Sequence, residues 1–321
     1  MDGESLVRAA HRTIYNSCMT RRSSLLSVAL LTASLSAVVS ALAQNPAIIT
    51  DSVPDKANPA AMQSFQLPSH GALLNGFVYV AAGAGPHPTV ILLHGFPGNE
   101  RNLDLAQSIR SAGWNVMYFD YRGSWGSPGD FSFTHCIEDT RSAIAYLRDE
   151  GKVAKLRSDP KTIVLIGHSM GGFVALQAGA LDPAMKAVVT ISAADLGTSR
   201  FQAVAADQKD PFTRGLAAGL AAEGMAPLAG TTPELLASEV LANANKWNFV
   251  NLAPKFATRP LLVITSDDGL TAPNEAFVEA VKKSGNREVN AVHIPTDHSY
   301  SDHRVALQQT VLEELARLTQ K

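Results

Sequence analysis

Ser169 is the residue whose surroundings point most directly to chemistry. It lies in residues 167–171, Gly-His-Ser-Met-Gly, between a short apolar run and a longer helical pattern. Small residues on both sides allow a sharp strand-to-helix turn, which lifts a serine hydroxyl above the edge of a sheet. The helix that begins there also directs backbone N–H groups towards a developing negative charge. The pattern indicates a serine nucleophile, although a simple glycine-rich turn could carry the same letters.

A serine nucleophile needs a base that accepts its proton, and three histidines near the C-terminal end are candidates. His293 falls inside a predicted strand, and His303 falls at the start of the last predicted helix. His298 lies between them in a loop, where an imidazole can face another loop. We therefore predict that His298 is the base.

The base in turn needs a carboxylate that fixes its tautomer and stabilises its charged form. Residues 266–270, Ser-Asp-Asp-Gly-Leu, follow the predicted strand that ends at Thr265. Either Asp267 or Asp268 could supply this carboxylate, and the other acid would then shape the turn.

A second glycine-containing loop, residues 94–98 with the letters His-Gly-Phe-Pro-Gly, follows another apolar strand. Its glycines allow the backbone to bend inwards, although a simple strand-end turn would look the same. We interpret His94 as a side chain that braces this loop by hydrogen bonding, and not as a catalyst.

From about residue 63 onwards, short apolar runs alternate with longer amphipathic stretches, which is typical of a mainly parallel sheet flanked by helices. The runs at 90–93 and 163–166 are continuously apolar, as expected for central strands that are covered on both faces. The predicted strands are 63–67, 76–81, 89–93, 115–119, 162–166, 187–191, 261–265 and 289–294, of which the first two form an antiparallel lead-in. The predicted helices are 103–112, 135–149, 170–181, 274–283 and 304–318. The last helix has an apolar face, formed by Leu307, Val311, Leu315 and Leu318.

The alternation stops between residues 194 and 257, where about sixty residues rich in Ala, Leu and Gly intervene. A helical stretch at 233–244 favours an inserted helical cap. The predicted organisation is an N-terminal extension with a signal peptide at 1–43, a linker at 44–62, and one α/β domain at 63–321 that contains the cap.

In these features, residues 63–321 resemble the α/β-hydrolase superfamily, in its serine esterase and serine aminopeptidase-like branch. The resemblance implies an α/β-hydrolase fold, with a mostly parallel central sheet flanked by helices and a small helical cap. It also implies the order of nucleophile, acid and base along the chain, here Ser169, Asp268 and His298. Similar family segments carry the catalytic acid as the last of the adjacent acids, which corresponds to Asp268.

The same resemblance assigns the oxyanion hole to the backbone N–H groups of Phe96 and Met170. Residues 120–129 resemble a family loop that packs beside the site. Trp125 in this loop is a candidate substrate contact, although one aromatic residue in a Gly/Ser/Pro loop is more often scaffolding.

A serine at the nucleophile position disfavours reactions that run through an aspartyl ester and favours acyl transfer to water. We predict a carboxylesterase-like serine hydrolase that acts on a small-molecule ester. One alternative is a serine aminopeptidase-like peptidase, in which Glu223 or Glu234 of the cap would anchor an amino terminus. The other is a catalytically silent member that binds a ligand in the same pocket. No nucleotide-binding fingerprint or P-loop occurs in the sequence, so no cofactor is predicted.

The formal net charge is −2, and the Lys and Arg residues are spread thinly. No basic stripe is present that would bind nucleic acid or an anionic membrane surface. The two cysteines, Cys18 and Cys136, belong to no Cys/His cluster with zinc spacing, so neither a metal nor a structural disulfide is predicted. Cys136 lies at the start of a predicted helix, where we expect it to pack.

Residues 19–43 have the layout of a secretory signal. Arg21 and Arg22 precede an apolar run at 25–43, and Ala41 and Ala43 precede the predicted mature start. We predict cleavage after Ala43 and a periplasmic or secreted protein without a stable membrane partner. An uncleaved anchor is the alternative, since a run of 19 residues could just span a bilayer. Met19 is an alternative start, because signals normally begin close to their charged region.

Overall fold

The computed structural model describes residues 44–197 and 208–320 of the chain. The predicted signal peptide at 1–43, and with it the predicted cleavage after Ala43, lies outside the described residues. Residues 198–207 of the predicted cap lie outside them as well.

Eight strands among the described residues form one sheet. They are β1 (Ala61–Ser69), β2 (Ala72–Val80), β3 (His87–Leu93), β4 (Asn115–Phe119), β5 (Ser158–His168), β6 (Ala187–Ile191), β7 (Leu261–Thr265) and β8 (Val289–His293). Their order across the sheet is β1-β2-β4-β3-β5-β6-β7-β8. The pairs β1–β2 and β2–β4 are antiparallel, and all pairs from β4 to β8 are parallel.

This topology confirms the predicted α/β-hydrolase fold and its antiparallel lead-in. The bounds of β4, β6 and β7 are those predicted from the sequence. β5 begins at Ser158, four residues before the predicted start at residue 162. The prediction started late because the letters Ser-Asp-Pro-Lys at 158–161 offer little apolar surface. This extension pairs with β3 only between Ser158 and His87, across a register irregularity.

The helices cover the two faces of the sheet and build the described part of the cap. They are α1 (Pro46–Ile49), α2 (Leu103–Ser111), α3 (Phe133–Arg148), α4 (Glu150–Leu156), α5 (Met170–Ala180), α6 (Lys209–Ala222), α7 (Pro233–Trp247), α8 (Phe249–Leu252), a 3₁₀ helix (Ala253–Phe256), α9 (Thr271–Lys283) and α10 (Arg304–Thr319). The sequence did not predict α4, whose start is capped by the Asp149 side chain accepting from the N–H of Lys152.

Side chains of the central strands alternate between two apolar layers. Ile91 and Leu93 of β3 belong to the layer that contains α3 and α5, whereas Val90 and Leu92 belong to the layer that contains α2 and α10. The predicted apolar face of α10 is buried in the second layer, as Leu307, Val311, Leu315 and Leu318 show. The sheet is thus covered on both faces, and the carboxyl ends of its parallel strands are left as the edge on which a site can form.

The two longer cap helices differ in how they pack. α7 reaches the core through Leu236, Val240 and Trp247. The Trp247 indole meets the Phe173 ring edge-on, with centroids 5.1 Å apart. α6 buries only Ala217, so most of its surface faces solvent. The helix predicted at 233–244 is observed and extends to Trp247, and its assignment to an inserted cap stays a prediction.

Cys136 is fully buried in α3, in agreement with the packing role predicted for it. Burial raises the pKa of its thiol well above the usual value, which keeps the thiol protonated. Of the helices in the two described ranges, none has both the length and the apolar character needed to cross a bilayer.

Candidate active site

Ser169 occupies the turn between the end of β5 and the start of α5. Its backbone has φ 57° and ψ −122°, a conformation that residues with a side chain rarely adopt. The N–H of Ser169 donates to the carbonyl of Ile191 at 2.9 Å, and its carbonyl accepts from the N–H of Ala194 at 3.0 Å. The strained turn is therefore fixed by β6 and by the residues that follow β6.

Glycine is required on both sides of Ser169. A Cβ atom at Gly167 would overlap the carbonyl oxygen of Gly171, and a Cβ atom at Gly171 would overlap the carbonyl oxygen of Leu93. These close approaches bring the first turn of α5 against the end of β3. The helix N-terminus and the loop after β3 consequently meet at Ser169.

The loop at 94–98 lies against Ser169. A Cβ atom built on Gly95 would come within 3.5 Å of Ser169 Oγ, which shows how closely the backbone passes the hydroxyl. His94 is buried, and burial lowers its pKa to about 4, so the ring is neutral. Its Nδ1–H donates to the carbonyl of Gly95 at 2.8 Å, as expected for a side chain that braces the loop.

The hydrogen bond from His94 also orients the next N–H group. The Gly95 carbonyl and the Phe96 N–H belong to one trans peptide, so they point in opposite directions. Within the described residues, the N–H groups of Phe96 and Met170 donate to no other group. As far as the described residues show, these two N–H groups are therefore available to bind a ligand oxygen.

Trp125 links the loop after β3 to the cap. Its indole N–H donates to the carbonyl of Pro97 at 2.8 Å, and its backbone N–H donates to the carbonyl of Pro227 at 2.9 Å. The guanidinium of Arg101 lies over the indole at 4.4 Å. Trp125 therefore has a scaffolding role, and direct contact with a substrate stays a prediction.

The two adjacent acids face different histidines. Oδ2 of Asp268 lies 2.7 Å from Nδ1 of His298, and the Asp268 side chain is only 4% exposed. Asp267 is 65% exposed, and its Oδ1 lies 3.1 Å from Nε2 of His293. Of the two acids that the sequence offered, Asp268 is the one that contacts the predicted base.

His298 is held next to the residue that precedes Ser169. The rings of His168 and His298 have centroids 4.7 Å apart, and Nε2–H of His168 donates to the carbonyl of His298 at 2.8 Å. Burial lowers the pKa of His168 to about 4, so its ring stays neutral. No hydrogen bond joins the side chains of Ser169 and His298 in the part of the chain that the structure describes, but β5 and the His298 loop bring them to the same edge of the sheet.

Among the described residues, the remaining candidates from the sequence form no hydrogen bond or ion pair with Ser169 or His298. Nδ1 of His303 contacts Asp302 Oδ1 at 2.8 Å, at the N-terminus of α10. Glu223 and Glu234 are exposed on the cap. Among the described residues, no group of three or more His, Cys, Asp or Glu side chains could hold a metal ion.

Sequence reasoning missed four polar residues at the site. His168 is one, and three buried hydroxyl residues around Asp268 are the others, namely Ser192, Ser266 and Tyr300. A sequence signal existed for some of them, since Ser266 and Tyr300 each lie two positions from a predicted acid or base, and His168 is next to Ser169.

Comparison with known proteins matches the same region of the chain. Residues 90–310 match the model of the alpha/beta hydrolase family. A thiohydrolase, apmlB, from Arthrinium phaeospermum is 32% identical over 125 residues, which are 38% of this chain and 39% of that protein. The chain spans about two fifths of the length of the curated relatives that it matches.

Solved structures are similar over most of the chain. A hyperthermophilic esterase from the archaeon Pyrobaculum calidifontis has a TM-score of 0.60 at 20% identity, covering 81% of this chain and 86% of that one. EstE1, a thermostable carboxylesterase from a metagenomic library, has a TM-score of 0.59 at 21% identity, covering 81% and 89%. At these identities the similarity establishes a shared fold.

Proposed function

This chain belongs to the alpha/beta hydrolase family, and we propose that it is a serine hydrolase that cleaves carboxylic esters through an acyl-enzyme intermediate. The observation that carries the proposal is the 2.7 Å contact between Asp268 and His298, beside the strained turn that presents Ser169. In this proposal Ser169 is the nucleophile, His298 is the base and Asp268 is the acid that orients the base.

The first half of the reaction forms the acyl-enzyme. Ser169 Oγ attacks the ester carbonyl carbon while Nε2 of His298 takes the hydroxyl proton. The carbonyl oxygen becomes an oxyanion, which accepts hydrogen bonds from the N–H groups of Phe96 and Met170. When the carbon–oxygen bond to the alcohol breaks, His298 returns the proton to the departing alkoxide, and the alcohol leaves.

The second half regenerates the serine. Nε2 of His298 accepts a proton from water, whose oxygen attacks the acyl carbon, and the same two N–H groups bind the new oxyanion. Collapse of this intermediate releases the carboxylic acid and returns the proton to Ser169. Asp268 stays ionised throughout, because hydrogen bonds from His298 and its surroundings outweigh burial and hold the pKa of this carboxyl well below its usual range.

Two features favour an ester over a peptide as the substrate. An alkoxide is a better leaving group than an amide anion, and an ester carbonyl is less stabilised by resonance than a peptide carbonyl, so an ester makes the smaller demand on the same residues. Glu223 and Glu234, which could have anchored a free amino terminus, are both exposed, and among the described residues neither forms a hydrogen bond or ion pair with Ser169 or His298. The esterases among the structural relatives agree with this choice.

Covalent labelling by a fluorophosphonate tests the proposal. The protein should react at Ser169 and hydrolyse a p-nitrophenyl ester, and Ser169→Ala should lose both properties while keeping its fold. Ser301→Ala, which alters an exposed serine near the base loop, is the matched control and should keep both. Failure of the folded protein to be labelled would rule out the serine mechanism and favour a silent, ligand-binding protein.

A substrate panel separates the acyl-transfer classes. We expect turnover of a short-chain p-nitrophenyl ester to exceed turnover of an aminoacyl p-nitroanilide by a large factor. A thioester belongs in the panel because one similar protein is named a thiohydrolase. Faster cleavage of the aminoacyl anilide would overturn the esterase proposal in favour of the peptidase.

We also propose that the protein is exported after cleavage at Ala43. Support comes from the sequence, in which Arg21 and Arg22 precede an apolar run that ends in Ala-Leu-Ala. N-terminal sequencing of the protein from the periplasm or medium should begin at Gln44. An intact apolar segment on membrane-bound protein would instead identify an uncleaved anchor.

A further inference from the structure

The Asp268 carboxylate is surrounded by three buried hydroxyl groups from three separate segments. Ser192 follows β6, Ser266 follows β7, and Tyr300 lies on the loop after β8 that also carries His298. Ser192 Oγ lies 2.9 Å from Ser266 Oγ and 2.9 Å from the Tyr300 hydroxyl. Each of the three residues is at most 1% exposed. We call Ser192, Ser266 and Tyr300 the hydroxyl cradle.

Two members of the hydroxyl cradle have a strained backbone. Ser192 has φ 44° and Tyr300 has φ 56°, both in the left-handed region that favours glycine. Such conformations persist where the surrounding structure fixes them, and they concentrate at functional sites. Here both strained residues direct a hydroxyl group to the same place.

The Asp268 carboxylate accepts one hydrogen bond from the base and one from its own turn. Nδ1–H of His298 donates to Oδ2, and the N–H of Leu270 donates to Oδ1 at 2.9 Å. The hydroxyls of Ser192 and Ser266 also face this carboxylate and lower its pKa. An ionised carboxylate accepts at about four positions, so it can accept from hydroxyl groups besides these two N–H groups.

Ser192 joins the other two hydroxyls of the cradle. Its Oγ contacts both Ser266 Oγ and the Tyr300 hydroxyl, so the three hydroxyl groups form one hydrogen-bonded chain beside Asp268. Burial raises the pKa of Tyr300 to about 12, so the phenol stays protonated. The hydrogen bonds therefore connect Tyr300, through Ser192, with Ser266, which lies two residues before Asp268.

We propose that Ser192, Ser266 and Tyr300 are positioning residues, whose hydroxyl groups hold the Asp268 carboxylate in the orientation that aligns His298. The proposal rests on the proposed function, because Asp268 matters only if His298 acts as a base. Tyr300 is two residues from His298, so the hydroxyl cradle connects the loop of the acid with the loop of the base. None of the three hydroxyls is exposed to a substrate, so their contribution belongs to turnover and not to substrate affinity.

Tyr300→Phe tests the hydroxyl cradle, because it removes one hydroxyl and leaves the buried ring. We expect kcat per fluorophosphonate-titrated site to fall about tenfold, the value of one hydrogen bond, while KM changes less than twofold. Tyr146→Phe is the matched control, since this phenol ring stacks on Phe65, far from Asp268 in the fold, and it should keep full activity. Unchanged kcat in Tyr300→Phe would overturn the proposal.

A second background separates positioning from a general structural effect. In Asp268→Asn, whose residual turnover no longer depends on an ionised acid, Tyr300→Phe should cost no further activity. Loss of the same factor in both backgrounds would contradict a role exerted through Asp268. If Tyr300→Phe does not fold, Ser192→Ala interrupts the same hydrogen bonds and takes its place, with the same expected results.

Failure of the proposed function would look different from failure of the hydroxyl cradle. If the serine mechanism is wrong, the unchanged protein shows neither labelling nor ester turnover. If only the hydroxyl cradle is wrong, the unchanged protein is active, and Tyr300→Phe and Ser192→Ala are as active as the Tyr146→Phe control.

Discussion

Nδ1 of His298 lies 2.7 Å from Oδ2 of Asp268, in a pair whose acid is buried and whose imidazole is 40% exposed. The buried partner can fix the orientation of the ring, and the exposed ring can still exchange protons with a substrate and with water. Asp267, one residue earlier, is exposed and contacts His293 instead. Two carboxylates that are equivalent by residue type thus differ completely in position.

Exchanging each acid for its amide distinguishes the two. Asp268→Asn should lower kcat by about 10⁴-fold, because an amide favours the wrong tautomer of His298 and cannot stabilise the imidazolium. Asp267→Asn should leave kcat within a few-fold, since an exposed pair contributes little. Steady-state ester hydrolysis measures both, and a larger loss in Asp267→Asn would show that the acid has been misassigned.

Trp125→Phe examines the connection between the cap and the loop after β3. The change keeps an aromatic ring beneath Arg101 but removes the N–H that donates to Pro97. We expect kcat to fall about tenfold from the loss of one hydrogen bond, with little change in KM. If KM and the preference among acyl groups change instead, Trp125 is a substrate contact, as the sequence suggested.

Gly167→Ala should distort the turn at Ser169. The added methyl would overlap the carbonyl oxygen of Gly171, and relief requires a backbone shift that costs about 1–3 kcal/mol of unfolding free energy. Labelling of Ser169 should be lost at the same time.

Gly215→Ala is the control for this change, because a Cβ atom there meets nothing within 4 Å and the residue is exposed inside α6. It should stabilise α6 by about 1 kcal/mol and leave labelling intact. Urea unfolding and fluorophosphonate labelling measure both variants, and normal labelling of Gly167→Ala would contradict the requirement for glycine.

Asp195 should make stability depend on pH. Burial raises the pKa of its carboxyl from the ordinary 3.8 to about 6, against hydrogen bonds from the N–H groups of Gly197 and Phe249. Between these two values the folded protein keeps a proton that the unfolded chain has released. The contribution of Asp195 to the unfolding free energy therefore falls as pH rises from about 4 to 6, by up to about 3 kcal/mol.

Comparison with Asp195→Asn isolates this effect. The unfolding free energy of the variant, relative to that of the unchanged protein, should rise by up to about 3 kcal/mol from pH 4 to pH 7. Burial lowers the pKa values of His94 and His168 from 6.5 to about 4, so their contribution to the unfolding free energy falls as pH drops below 6.5. This contribution is the same in both proteins and cancels in the comparison. A difference that is constant with pH, measured by urea unfolding, would refute the assignment.

The fold could be predicted because its central strands and its turns carry local signals. The continuous apolar runs of β3 and β5 can only be buried, and Gly167 and Gly171 mark a backbone that leaves no room for a side chain. The helix α4 escaped prediction because it is short and its main signal is the single capping residue Asp149.

The arrangement around the acid could not be predicted, because it depends on contacts between distant segments. Ser192 meets Ser266 from 74 positions away and Tyr300 from 108 positions away. His168 donates to a carbonyl 130 positions later in the chain. Nothing in the local sequence of a serine indicates which distant carboxylate it will face, and the choice between Asp267 and Asp268 depended on family resemblance for the same reason.

Trp125 has a consequence for any redesign of substrate preference. Its backbone N–H is bound to Pro227 of the cap, and its indole N–H is bound to Pro97 beside the N–H of Phe96. The cap is therefore not an interchangeable module. A segment from another protein would move the carbonyl that accepts from the Trp125 N–H, so we expect chimeras to displace Trp125 and the loop at 94–98 unless the backbone around residue 227 is kept unchanged.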